Sequence, residues 1–166
     1  MAATRRTMKR GTLFVGGGFL LVSAAILALF IRVEREPRYL AADPTNTEQV
    51  RLGEPIYRQN CASCHGANLE GQPDWQSRKT DGRLPAPPHD ETGHTWHHPD
   101  EVLFRITKEG VSAIVPGYES DMPAYDGVLT DEDIWAAIAF IKSRWPQRTQ
   151  NIQADINRRA SEQQAQ

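Results

Sequence analysis

The chain has 166 residues, a formal net charge of −2 and a mean hydropathy of −0.55. The charge is unevenly distributed, because from Leu40 onward 12 Lys and Arg stand against 19 Asp and Glu, a net charge of −7. This balance excludes the basic footprint of a nucleic-acid-binding protein. It suits either a partner with a basic docking patch or a well-hydrated surface without a partner.

The N-terminal region, residues 1–31, is predicted to be a basic cytoplasmic end followed by a transmembrane anchor. Four basic residues lie among the first ten, and an uncharged apolar run extends from Leu13 to Ile31. About 20 apolar residues cross the bilayer core, and a basic flank stays cytoplasmic. A cleaved signal peptide is the alternative, but its apolar region has only about 7–15 residues. Both interpretations place the rest of the chain outside the cytoplasmic membrane.

The next two segments lead into the main domain. Residues 32–46 combine mixed charge with prolines and are predicted to be a tether. Residues 47–60 are predicted to form the first helix of a domain that spans residues 47–146. Pro55 is awkward in this helix, because an interior proline costs about 3 kcal/mol. The helix therefore either kinks there or begins near Gly53, which would put Pro55 in its first turn.

The segment Cys61-Ala62-Ser63-Cys64-His65 has the spacing C-x-x-C-H, which is the attachment signature of a c-type haem. Two thiols add to the haem vinyl groups and the imidazole binds iron. One helical turn brings Cys61, Cys64 and His65 to the same side of the chain, which suits the rigid cofactor edge. The motif therefore predicts one covalently attached haem c.

The two cysteines have three other interpretations. A thioredoxin-like dithiol needs a preceding strand, and no strand-rich run precedes Cys61. A zinc site would need further ligands at finger-like spacing; the later histidines His89, His94, His97 and His98 could supply them, but there is no second Cys pair. A disulfide between residues three apart would close a very short loop and stabilise little.

The rest of the chain shows helix signals separated by long irregular stretches, with no internal repeat and no convincing strand. The predicted elements are an irregular stretch over 66–99, a helix from Pro99 through Glu109, a loop over 111–129, a helix capped by Thr130 and ended by Pro146, and a frayed or disordered polar tail over 147–166. An irregular stretch of such length makes sense if it wraps a large apolar cofactor.

A haem bound by His65 has one further axial position, which methionine, histidine or an exchangeable ligand can fill. Met1 and Met8 precede the predicted anchor, so Met122 is the only methionine in the exported part. It lies in a polar loop directly before Pro123, which stiffens that loop. Met122 is therefore the predicted second iron ligand.

The rival ligand is a histidine from the cluster His94, His97 and His98, which also contains Trp96. This cluster could instead bind a separate metal, or place His94 or Trp96 near a haem propionate. His/Met ligation raises the reduction potential and gives a closed site that moves electrons without ligand chemistry.

From about Gly53 to Trp145 the chain resembles the monohaem class I c-type cytochromes. The similarity is carried by the haem motif, by Asp121-Met122-Pro123-Ala124-Tyr125 and by the segment from Leu129 through Trp135 with Phe140-Ile141. The resemblance implies an all-α fold around the haem, in which the terminal helices cross near Gly53 against Trp135 or Phe140.

The resemblance also implies that a proline carbonyl accepts a hydrogen bond from the proximal imidazole, which orients the ligand. Pro85, Pro87 and Pro88 all compete for this role. The expected protein is a membrane-anchored electron carrier, not an enzyme, on the periplasmic face of a bacterial cytoplasmic membrane. Its expected partners are a quinol-oxidising complex or dehydrogenase upstream and a terminal oxidase or reductase downstream. The alternatives are a subunit of a larger oxidoreductase complex and a haem sensor or enzyme with a labile sixth ligand.

Overall fold

A computed structural model describes residues 40–165. The helices are α1 (Thr47–Asn60), α2 (Ala62–His65), α3 (Asp100–Glu109), α4 (Asp131–Ser143) and α5 (Gln147–Gln164), with 3₁₀ turns at Thr95–His97 and Val111–Ala113. These residues contain no β-strand, which confirms the predicted all-α class. The predicted anchor over residues 1–31 lies outside the described residues. Within residues 40–165, no helix combines the length and apolar character needed to cross a membrane.

Helix α1 begins at a side-chain cap and continues through its proline. The Asn46 side chain accepts hydrogen bonds from the backbone N–H groups of Glu48 and Gln49, both at 3.1 Å. Pro55 lies inside the helix at an exposed position. The start near Gly53 is therefore wrong. The carbonyl that would have paired with the missing N–H of Pro55 belongs to Arg51, which is exposed and can be hydrated.

Helices α1 and α4 cross at Gly53, as predicted, but through a different contact. A Cβ atom at Gly53 would lie 1.9 Å from the backbone oxygen of Ala136, so the two backbones touch. The expected neighbours Trp135 and Phe140 are not the residues at this point. The nearest atoms belong instead to the backbones of Ala136 and Ala137.

Helix α4 is the centre of the domain. A capping box joins Thr130 and Asp133 at its start, and every residue from 134 to 142 is buried. The indole of Trp135 stacks on Phe104 of α3 with ring centroids 4.3 Å apart, and Phe140 packs on Tyr57 of α1 at 5.4 Å. Helix α4 therefore holds α3 on one side and the end of α1 on the other.

The prediction of a frayed or disordered tail over 147–166 is wrong, because residues 147–164 form helix α5. Pro146 stands at the N-cap of this helix as well as ending the preceding segment. Gln153 is buried and donates to the Asp100 carboxylate at 2.6 Å, while the Asn157 side chain accepts from the Asp100 backbone N–H at 2.7 Å. Helix α5 is held on the domain by the amide side chains of Gln153 and Asn157. A search for an apolar stripe therefore does not detect it.

A buried lysine ties three parts of the domain together. The side chain of Lys142, 6 % exposed, donates to the Asp100 carboxylate at 2.6 Å and to the backbone oxygen of Ala42 at 2.9 Å. Ala42 is itself buried, and Gln49 of α1 donates to the backbone oxygen of Ala41 at 2.8 Å. The end of the predicted tether is therefore packed on the domain.

Replacement of Lys142 by Met is expected to lower the free energy of unfolding by about 3–5 kcal/mol, because it leaves the Asp100 carboxylate, which is only 15 % exposed, without its cation. Denaturant unfolding of the haem-loaded protein measures this. The control is Lys108→Met, which removes the more exposed partner of Asp131 and should leave stability nearly unchanged. Equal losses in both variants would contradict the role given to Lys142.

Candidate functional site

The predicted attachment residues lie on one tight turn at the end of α1. Cys61 continues the helix by donating its backbone N–H to Tyr57, and its own backbone oxygen accepts from Cys64 at 3.1 Å and from His65 at 2.9 Å. Both cysteines are free thiols, with Cys61 partly buried and Cys64 exposed. The structure therefore brings Cys61, Cys64 and His65 together, as their spacing predicts.

The Cys61 thiol does not have the electrostatics of the reactive cysteine in a dithiol redox site. Burial, with a smaller contribution from Cys64, raises the pKa of the Cys61 thiol to about 11. Reactive dithiol motifs lower the pKa of one cysteine to about 3.5–7.5 so that it is a thiolate at neutral pH. A protonated Cys61 disfavours the thioredoxin-like interpretation.

His65 is buried, and one of its two ring nitrogens is already used. Nδ1 lies 2.8 Å from the backbone oxygen of Pro87. Because a carbonyl only accepts, Nδ1 must carry the proton and Nε2 must carry the lone pair. Burial lowers the pKa of His65, against an opposing effect of the Pro87 hydrogen bond, so the neutral ring persists at pH 7. A neutral imidazole with a free Nε2 is the form that binds a metal.

The structure selects Pro87 from the three candidate prolines Pro85, Pro87 and Pro88. The backbone at Gly71, in a second segment of the chain, packs against Pro87 and Pro88 and so positions the Pro87 carbonyl. Gly71 has a φ of +70°, and a Cβ atom there would lie 2.4 Å from the backbone nitrogen of Pro88 and 2.7 Å from the carbonyl carbon of Pro87. The Gly71 backbone N–H also donates to the backbone oxygen of His65 at 2.8 Å. Gly71 therefore bridges the histidine and the proline that orients it.

Tyr57 closes the turn from inside the core. Its side chain is fully buried, and its hydroxyl donates to the backbone oxygen of Gly66 at 2.8 Å. Burial, together with the nearby Cys61, raises the pKa of Tyr57, so the hydroxyl remains a donor. No local sequence pattern indicates a hydrogen-bond partner nine residues away from Tyr57.

A second histidine lies against His65 and was not singled out from the sequence as part of this site. The rings of His65 and His89 are stacked with centroids 3.9 Å apart. His89 Nδ1 lies 2.7 Å from the Thr95 hydroxyl, and its backbone oxygen accepts from the indole of Trp145 at 2.7 Å. Burial, and then the proximity of His65, lowers the pKa of His89 well below its usual value. His89 is thus a neutral ring that packs on the candidate ligand.

The remaining histidines of the cluster pair with aromatic rings. His94 stacks on Trp75 with centroids 5.6 Å apart and meets the edge of His98 at 5.4 Å, while His97 stacks on Trp96 at 3.6 Å. No three His, Cys, Asp or Glu side chains of residues 40–165 are grouped so that they could hold a metal ion.

Met122 lies on a separate loop that reaches the attachment turn through Tyr125. The Met122 backbone N–H donates to the Ser120 hydroxyl at 3.1 Å, and its side chain is partly buried. The Tyr125 hydroxyl donates to the backbone oxygen of Asn60 at 2.5 Å, one residue before Cys61. The fourth predicted site residue is therefore on a loop anchored next to the other three.

A family model described as cytochrome c oxidase, cbb3-type, subunit III matches residues 48–141, more than half of the chain. This segment runs from the first turn of α1 almost to the end of α4 and includes Cys61, Cys64, His65 and Met122.

The chain is also similar to the cytochrome c subunit of the cytochrome bc1 complex from Mycobacterium tuberculosis and from Mycobacterium bovis. Each is 37 % identical over 73 residues. The similar segment is 43 % of this chain and 25 % of each relative, so this chain corresponds to about a quarter of the relatives that it matches. No solved structure matches the chain.

Replacement of Tyr57 by Phe is expected to lower the free energy of unfolding by about 0.5–1.5 kcal/mol, because it removes the hydroxyl donor and leaves the Gly66 oxygen with only the longer hydrogen bond from the Leu69 backbone N–H, at 3.3 Å. Chemical unfolding of the haem-loaded protein measures the loss. Tyr118→Phe is the control, because Tyr118 is less buried and its ring contact to Arg78 survives the change. If both variants unfold at the same denaturant concentration, the Tyr57 hydroxyl does not stabilise the turn.

Proposed function

The chain belongs to the family described as cytochrome c oxidase, cbb3-type, subunit III, and from this premise we propose that it carries single electrons in a respiratory chain. It is a c-type cytochrome with covalently bound haem c, and its role is that of an electron carrier and not of an enzyme. The observation that carries the proposal is the buried His65, which lies on the same turn as two free cysteines. Its Nδ1 is held by a hydrogen bond to the Pro87 backbone oxygen.

The residues of the turn fit a covalent haem in their chemistry. Cys61 and Cys64 would hold it through thioether bonds, and His65 would bind its iron through the free Nε2. The bound haem supplies a one-electron couple at iron. The Pro87 carbonyl keeps the proton on Nδ1 and fixes the plane of the ring, which is how an outer hydrogen bond tunes a metal ligand.

Met122 is the proposed second axial ligand. Its support is the loop contact from Tyr125 to Asn60, which fastens the segment around Met122 beside the attachment turn. A thioether ligand raises the reduction potential of a histidine-bound haem and occupies the site that an exogenous ligand would take. This favours an electron carrier over a haem sensor with a labile sixth ligand.

The proposed location is the outer, periplasmic face of a bacterial cytoplasmic membrane, with residues 1–31 as a single-pass anchor and 32–46 as the connection to the haem domain. The support is the apolar run of the sequence and its basic flank. The proposed partners are a quinol-oxidising complex or dehydrogenase as donor and a terminal oxidase or reductase as acceptor. The names of the mycobacterial relatives favour the alternative in which the chain is itself a subunit of a respiratory complex.

Replacement of Met122 by Ala is expected to abolish the sulfur-to-iron absorption band of the oxidised protein near the red end of the spectrum. The reduction potential should fall, since axial ligands set haem potentials over about 0.8 V. Carbon monoxide should then bind rapidly to the reduced protein.

The matched controls are the single replacements His94→Ala, His97→Ala and His98→Ala, which remove the rival ligands one at a time and should leave the band and the potential unchanged. Retention of the band in the Met122→Ala variant would contradict Met122 as the ligand, because Met122 is the only methionine after Met8 and an imidazole cannot give a sulfur-to-iron band. A wild-type protein without the band would remove His/Met ligation altogether.

The acidic surface leads to a further expectation for a partner with a basic patch. The rate of electron transfer to such a partner should fall as ionic strength rises, because the Debye length shrinks from about 10 Å at 0.1 M salt to about 3 Å at 1 M. Stopped-flow mixing of the reduced protein with its oxidised partner measures the rate. An uncharged chemical oxidant is the control, and an equal salt effect with both would contradict steering by charge.

A further inference from the structure

Three cationic residues stand on one closed turn, residues 78–83, here called the basic turn. The Lys79 backbone N–H donates to the Arg83 oxygen at 2.8 Å, and the Gly82 N–H donates to the Lys79 oxygen at 2.9 Å. The Asp81 side chain accepts from the Arg83 N–H at 3.0 Å, and Arg78 donates to the Gly82 oxygen at 2.6 Å. The basic turn is therefore stabilised by hydrogen bonds among its own residues, and these bonds hold its three cations close together.

All three cations reach the loop that carries Met122. Lys79 donates to one carboxylate oxygen of Asp121, and Arg83 donates to the other at 2.7 Å. A second guanidinium nitrogen of Arg83 lies 3.8 Å from Glu119. The Arg78 guanidinium lies 5.9 Å from the centre of the Tyr118 ring.

These contacts surround the residue directly before the proposed iron ligand. Arg83 and Met122 also line the same open cavity, of about 360 Å³. On the other side of Met122, Tyr125 is bonded to Asn60. The loop is thus fastened on both sides of the methionine, to the basic turn through Asp121 and to the attachment turn through Tyr125.

We propose that Asp121 is a positioning residue for Met122, which acts by pairing with Lys79 and Arg83 to keep the thioether on the haem iron. The inference rests on the proposed function, because it needs Met122 as the axial ligand. A thioether has no charge and is a weak ligand, so retention of the bond depends on how firmly the loop is held. Two cations on the two oxygens of one carboxylate restrict that loop more than one exposed pair can.

The size of the effect follows from the exposure of the pairs. The side chains of Lys79, Arg83 and Asp121 are about two-fifths to a half exposed. Exposed ion pairs shift an equilibrium by up to about fivefold each, and many shift nothing, so two independent pairs would give about two- to 25-fold. Because these two pairs share one carboxylate, they are not independent, and we expect the lower part of that range, about two- to tenfold. This is too little to unfold the domain and enough to change how often the methionine leaves the iron.

The test compares Asp121→Asn with wild type in the haem-loaded, full-length protein. The rate at which added imidazole displaces the methionine from the oxidised haem is followed at the sulfur-to-iron band. The rate should rise about two- to tenfold at low salt, and the difference should shrink at high salt. Asp121→Glu, which keeps the carboxylate, should restore most of the wild-type rate.

Two controls separate positioning from a general surface effect. Glu162→Gln removes an exposed pair of similar length, Arg158–Glu162 at 3.3 Å on α5, and should leave the rate unchanged. In a Lys79→Gln, Arg83→Gln background, the Asp121→Asn change should have no further effect. The proposal is overturned if Asp121→Asn behaves like Glu162→Gln, or if its effect persists without the two cations. Failure of the proposed function has a different signature, because the band would then be absent from wild type.

Discussion

The contact of α1 with α4 at Gly53 is the constraint on which the candidate site depends. No side chain separates the two backbones there, since even a Cβ atom would come within 1.9 Å of the Ala136 oxygen. The crossing fixes where α1 ends, and Tyr57 on its last turn is locked against Phe140. The turn from Cys61 to His65 continues directly from that end, so its position follows from a helix contact two turns earlier.

The sequence predicted best those elements whose signals are local. The start of α4 was predicted because Thr130 and the acids after it are a capping pattern within four residues, and α3 because its first acids and its final Gly110 are equally local. The attachment turn belongs to the same class. The choice among three prolines could not be made locally, because it depends on the approach of Gly71, more than ten residues earlier, to Pro87 and Pro88.

The features that the sequence did not predict depend on polar groups that pair across long separations. Helix α5 has little apolar character, and its buried Gln153 pairs with Asp100, 53 residues earlier. Lys142 sits within an apolar helix and bonds to Ala42, 100 residues away. Periodicity analysis counts such residues as exposed, because it assigns no partner to a polar side chain. The result was a helix mistaken for a tail, while the packing of Ala41 and Ala42, at the end of the predicted tether, was not indicated by the sequence.

The charged side chains also pair within the domain. Seven of the 12 cations between Leu40 and Gln166 lie within 4.0 Å of a carboxylate among the described residues; they are Arg58, Lys79, Arg83, Arg105, Lys108, Lys142 and Arg158. Positive charge in this domain is therefore used largely for internal contacts. Three cations on one six-residue turn are unexpected in a region with a net charge of −7. The contacts of all three cations with the loop of Met122 give that concentration a structural explanation.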